Sequence, residues 1–157
     1  MASADIAEGL PIGEKARSAG RTISEGEFAL LTDLTWTTGE LHTNKEYGAH
    51  ETSFGERLLG GPIVAALVAS LASNTTALHR ALHETYGVRT VAAMGIAAQY
   101  HTPVKPGDTL WADTWIDSIR PSKSRPGQAI LTARDDGFNQ NDELVIEVTR
   151  TLLVERG

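Results

Sequence analysis

The sequence predicts an α+β domain, and three observations lead there. Helical patterns occupy the first half of the chain, while the second half holds four stretches rich in Val, Ile, Thr, Trp and Leu with much alternation. Short turn sequences separate those stretches, as expected of an antiparallel sheet. One helical run, Ile63 to Leu71, is apolar nearly all round, which marks a helix buried against one sheet face rather than lying on the surface. With 157 residues there is room for one domain with a substantial core.

The elements follow in order. Residues 1–18 show no periodicity and are expected to form a loose N-terminal segment, so the domain is taken as 19–157. In "TISEGEFALL", Ser24 is a natural N-cap and Glu27 completes a capping box. Ile23 before the cap and Phe28 after it form a hydrophobic staple, and Phe28, Leu31 and Leu34 recur at helical spacing. The polar segment "TWTTGELH", Thr35 to His42, follows and is expected to be a loop. In "GERLLGGPIVAALVASLAS", Gly60 and Gly61 permit a close backbone approach, and Pro62 suits a first helical turn because its missing N–H costs nothing there. "TTALHRALHETYG" continues as a helical connection ending near Gly87. Four strands are then predicted in "VRTVAAMGIAAQYHTPV", "DTLWADTWIDSIRP", "GQAILTARDDGF" and "ELVIEVTRTLLVER", broken by "KPGD", "SKSRPG" and "DGFNQND".

Composition removes several functions. Hydrophobic residues make up 41% and charged residues 22%, the balance of a folded globule. A net charge of −6 argues against a nucleic-acid surface. The absence of cysteine rules out disulfides, a thiolate nucleophile and a Cys-based metal site. The N-terminus carries acids where a signal peptide would be basic, and the longest apolar run is too short for a bilayer. The expectation is a soluble cytoplasmic protein that binds neither membrane nor nucleic acid.

Taken in order, "GRTISEGEFALLTDLT", "LHTNKEYG", "FGERLLGGPIVAALVASL", "YHTPVKPGDTLWAD" and "SRPGQAILTARDDGFNQNDELVIEVTRTLLV" resemble the MaoC-like dehydratases, the (R)-specific enoyl-CoA hydratase branch of the hotdog fold. The resemblance runs from about Gly20 to Val154. It implies a long central helix wrapped by a curved antiparallel sheet, a homodimer or higher homo-oligomer, and an acyl thioester of CoA or an acyl carrier protein as substrate. No cofactor or metal is implied. In that family an acid–histidine pair adds or removes water, and a glycine opening the central helix holds the thioester oxygen.

Carried over position by position, the resemblance makes His42 the acid/base and Gly61 the oxyanion donor. Chemistry supports both roles. Hydration needs a base for water and a proton donor for the α-carbon, and an imidazole titrates in the useful range. Charge developing on the thioester oxygen wants N–H groups at a helix N-terminus. Read without the family, Gly60-Gly61 is only a tight turn and His42 an ordinary loop histidine. The family aspartate falls at Thr37, whose hydroxyl is no general base unaided. The small polar residue that supports the aspartate falls at Ala69, and Gly60 stands where a histidine often precedes the oxyanion glycine. Glu40, two residues before His42, is the candidate replacement acid, or else a solvated loop residue. Thr37 and Thr38 can position water by hydrogen bonding. Trp36 is expected at a pocket wall or subunit interface.

Weaker candidates read as structure. Asp33 ends the first helix as an exposed residue. His79 and His83, with Glu84, share a helix face but lack further metal ligands. His101 ends a strand, either reaching the pocket or serving structure, and Arg120, Lys123 and Arg125 form a basic turn that either meets the phosphates of CoA or a pantetheine carrier or is simply solvated. The leading expectation is an acyl-thioester hydratase or dehydratase with an atypical acid/base set. The alternatives are a partner-dependent or non-catalytic hotdog subunit, an isomerisation or cyclisation through the same enolate, and, last, thioester hydrolysis.

Overall fold

The capping box at Ser24 forms as its sequence predicts. In the computed structural model, which describes residues 4–157, Ser24 caps a helix α2 (Glu25–Leu34): its side chain accepts from the Glu27 N–H, and the Glu27 carboxylate accepts from the Ser24 N–H. Before it lie a single helical turn α1 (Ala4–Ala7) and two short strands, β1 (Ala16–Arg17) and β2 (Arg21–Thr22). After it come the short helices α3 (Glu40–Thr43) and α4 (Lys45–His50), the central helix α5 (Gly61–Thr75) and α6 (Ala77–Glu84). Four long strands close the chain: β3 (Val88–Tyr100), β4 (Thr109–Pro121), β5 (Gln128–Phe138) and β6 (Leu144–Arg156).

The sheet is antiparallel in the order β1-β4-β5-β6-β3, with β2 also on β4. The predicted turns work through backbone geometry. Gly107 and Gly127 adopt positive φ, as does Asp142, and Lys105 donates its N–H to the Asp108 carboxylate. α5 lies across the sheet, burying Ile63, Val64, Ala65, Val68 and Ala72, so its all-round apolar sequence is used for burial. Val68 sits against Gly137, where an added Cβ would come 2.7 Å from its Cγ2, so the helix and sheet meet without an intervening side chain. No single helix among the described residues is long and apolar enough to cross a membrane.

Two expectations need correction. The segment 1–18 was expected to be loose, but over its described part, residues 4–18, it is packed onto the domain. Ile6 and Leu10 are buried with Leu78, Val88, Ile116, Leu131 and Val154. Ala16 and Arg17 pair with Thr114 and Asp113, and the Ala112 N–H donates to the Ser18 hydroxyl. Periodicity fails as a guide here because each anchor meets a strand about a hundred residues away rather than a neighbour on its own element. The first three residues lie outside the description. The second correction concerns "TWTTGELH", which is not wholly loop: Gly39 caps the helical turn α3, so His42 sits on a helix.

Candidate active site

Three elements grip one strap, residues 56–60, and that strap delivers the chain into α5. Arg57 reaches back to Glu25 at the start of α2, with Nη2 donating to both carboxylate oxygens at 2.7 and 2.9 Å. α4 presses its buried Gly48 on the strap so closely that an added Cβ would stand 2.7 Å from the Glu56 carbonyl carbon and 2.8 Å from the Arg57 nitrogen. α3 is tied by a reciprocal pair: the Leu58 N–H donates to the Leu41 carbonyl at 3.1 Å, and His42 Nδ1 lies 2.7 Å from the Leu58 carbonyl oxygen.

That last contact decides which nitrogen of the neutral imidazole carries the hydrogen. A carbonyl oxygen only accepts, so Nδ1 carries the hydrogen and the neutral ring presents Nε2 as a lone pair. The half-buried His42 is therefore oriented and held in one tautomer by backbone, with no carboxylate involved among the described residues.

Thr37 lies beside the same strap. Its methyl would be 3.1 Å from a Cβ placed on Gly60. Its hydroxyl is 2.8 Å from that of Thr35, and Thr35 itself donates to the Leu31 carbonyl at 2.7 Å. Thr35 has spent its only proton, so Thr37 is the donor in the pair and keeps lone pairs to accept from a water or a substrate hydroxyl. Glu40 is exposed and makes no side-chain hydrogen bond among the described residues. Two positions apart on one helical turn, Glu40 and His42 project to different sides.

The N-terminus of α5 supplies the electropositive part. Ile63 and Val64 both donate their N–H groups to the Gly60 carbonyl, and Pro62 has none. Among the described residues no acceptor takes the Gly61 N–H, which leaves it as the unclaimed donor of a fifteen-residue helix. Tyr100, at the end of β3, lies against Gly61: a Cβ there would be 2.8 Å from its Cε1 and Cζ. Nothing in the sequence reading singled out Tyr100 or the Leu58 carbonyl. The only trace of the first is an aromatic residue closing a strand just before "HTPV".

The remaining candidates fall elsewhere. Trp36 does not form a pocket wall: it is 85% exposed, in a left-handed turn with φ of 56°. His101 Nε2 is 2.8 Å from the Glu147 carboxylate, which also accepts from Arg134. His79, His83 and Glu84 are exposed on α6, Asp33 is exposed on α2, and Arg120, Lys123 and Arg125 are exposed around the β4–β5 turn. Ala69 is half-buried on α5 among the core side chains. Two cavities of about 570 and 450 Å³ flank the C-terminal half of α5, and neither is lined by Thr37, His42 or Gly61.

Comparison with known proteins places the chain. The profile described as "MaoC like domain" matches residues 8–134. The chain belongs to the MaoC-like domain family. No curated protein sequence matches it significantly. Among solved structures, a MaoC-like dehydratase from Rhodospirillum rubrum is 27% identical with a TM-score of 0.73, covering 96% of this chain and 97% of that one. A monoamine oxidase regulatory protein from Archaeoglobus fulgidus gives a TM-score of 0.80 at 23% identity, covering 96% and 94%. An (R)-hydratase from A. caviae involved in PHA biosynthesis gives 0.67 at 23%, covering 96% and 100%. The shared arrangement is the hotdog fold, as the sequence resemblance implied. For this MaoC-like chain the match begins at residue 8, in keeping with the packed N-terminal segment.

Proposed function

We propose that this protein hydrates 2-enoyl thioesters, or dehydrates 3-hydroxyacyl thioesters, carried on CoA or an acyl carrier protein. Family membership and likeness to hydratases support the class. The observation that carries the reading for this chain is that one strap holds His42 in a single tautomer through the Leu58 carbonyl and then leads into the unclaimed Gly61 N–H at the head of α5.

In the hydration direction, His42 Nε2 removes a proton from water as the oxygen bonds to the β-carbon. The π electrons move onto the thioester oxygen, where the Gly61 N–H and the helix dipole stabilise the charge. The Leu58 carbonyl steadies the imidazolium through Nδ1–H, and the same ring returns its proton to the α-carbon, so atoms and charge balance. Thr37 accepts a hydrogen bond from the attacking water and orients it without deprotonating it. Glu40 has no part.

The subunit reading retains one observation in its favour: no carboxylate hydrogen-bonds His42 among the described residues. Assembly bears on it. Among the described residues β3 ends the sheet with a free edge, and twelve of its thirteen residues are exposed. Val91, Met94 and Ile96 are among them, and Leu30, Leu34 and Trp36 add exposed apolar surface. An unpaired edge of this length favours a second copy beside it, giving a homodimer.

The test is a time course on crotonyl-CoA, longer trans-2-enoyl-CoAs and 3-hydroxyacyl-CoAs, followed by enoyl absorbance and mass. Loss of absorbance with gain of one water, reduced at least about 100-fold in His42→Ala, is expected for general acid–base catalysis. No turnover of any substrate by the wild-type protein would sink the proposal.

A further inference from the structure

We infer that the Tyr100 hydroxyl is the second donor of the oxyanion site, beside the Gly61 N–H. This rests on the hydratase reading above and adds a residue that contacts the reacting thioester. The phenol end of the ring, not its body, faces the head of α5: the atoms nearest a Cβ on Gly61 are Cε1 and Cζ at 2.8 Å and the hydroxyl at 3.2 Å. A Cβ and the amide nitrogen of its own residue are about 2.5 Å apart by standard backbone geometry. The hydroxyl therefore lies no more than roughly 5.7 Å from the Gly61 nitrogen. Two donors that each sit about 3 Å from one shared oxygen can be up to about 6 Å apart, so one thioester oxygen can accept from both.

Neither donor is otherwise engaged. Among the described residues the Tyr100 hydroxyl makes no hydrogen bond, and neither does the Gly61 N–H. Tyr100 is also 53% exposed, so its ring is not a core side chain whose hydroxyl merely reaches a local partner. The absent side chain at position 61 gains a second meaning: it clears the space the phenol occupies, since any Cβ there would displace the ring. As the β-carbon is attacked and charge builds on the thioester oxygen, the Tyr100 O–H donates a hydrogen bond that strengthens. No proton is transferred, and the proton cycle stays on His42.

The experiment compares wild type with Tyr100→Phe, which keeps the ring and removes only the oxygen. Loss of one oxyanion donor should lower kcat for crotonyl-CoA by about 100- to 1000-fold, with KM and melting temperature unchanged, because the bond matters most in the transition state. A purely structural role would leave kcat intact. A second readout needs no turnover: in the His42→Ala background, bound crotonyl-CoA labelled with ¹³C at the carbonyl should show a lower C=O stretching frequency when Tyr100 is present than when it is Phe. A Tyr100→Phe protein with kcat within about twofold of wild type and an unmoved carbonyl band overturns this inference alone. A wild-type protein that neither turns over nor binds any enoyl thioester overturns the hydratase reading and this inference with it.

Discussion

Asp135 has no solvent exposure, and its carboxylate is held by Arg150 Nε at 2.6 Å, Arg150 Nη2 at 2.9 Å and the Thr114 hydroxyl at 2.6 Å. Arg150 also donates from Nη1 to the Ser73 hydroxyl on α5 at 2.5 Å, so the pair pins the far half of the central helix to β6. Arg150→Leu would leave the carboxylate buried with one donor in place of three. Stripping one partner from a buried ion pair costs about 3–5 kcal/mol. The adjoining cavity of about 450 Å³ offers room for water, which puts the expectation at the lower end, near 3 kcal/mol. Against a domain stability of about 5–15 kcal/mol, that is a substantial loss. Replacing both residues by leucine removes the uncompensated charge, and the double variant should return to within about 1 kcal/mol of wild type. Urea unfolding at neutral pH, followed by the fluorescence of the three tryptophans, reads all four corners of the cycle. A loss below about 1 kcal/mol in Arg150→Leu, or a double variant as unstable as the sum of the singles, would refute the reasoning.

Other expectations concern the helix cap and the free edge. Glu27 is held down to about pKa 2, first by the Ser24 N–H, then by the hydrogen bonds from Arg21 and the Ser24 hydroxyl. A depressed carboxylate stabilises the fold above its unfolded pKa and loses that contribution as pH falls through the folded one. Glu27→Gln should therefore melt below wild type at neutral pH, with the gap closing between about pH 4.5 and 2; a gap that persists at the acid end would contradict the assignment. Ile96→Lys places a charge in the exposed row of β3 and should convert a wild-type dimer to a monomer in light scattering. A wild-type protein that is already monomeric at micromolar concentration would remove the basis of the edge-pairing proposal.

Local chemistry was legible in the sequence to the extent that neighbours along the chain create it. The Ser24–Glu27 box, Pro62 in the first turn of α5, the alternation of β4 to β6 and the glycines at 107 and 127 all act within a few residues of themselves. Their consequences could be written down from order and spacing. The apolar belt of α5 likewise required a sheet to cover it, and the four strands that follow supply one. His42 and Gly61 were found through resemblance to a family, since nothing in their local sequence distinguishes them from a loop histidine and a turn glycine.

Tertiary structure alone decided what those residues are able to do. The tautomer of His42 depends on a carbonyl sixteen residues away, and the clearance over Gly61 on a tyrosine from β3. Residues 4–18 pack because Ile6 and Leu10 complete a cluster made by α6 and the sheet, a need invisible in their own aperiodic sequence. Glu40 shows the converse: closeness to His42 along the chain gave it no contact, because a helical turn sends positions two apart to different sides. Periodicity encodes which face of an element is buried, but partners across the fold are set by where the chain returns, and hydrogen bonds at 2.7 Å depend on that return.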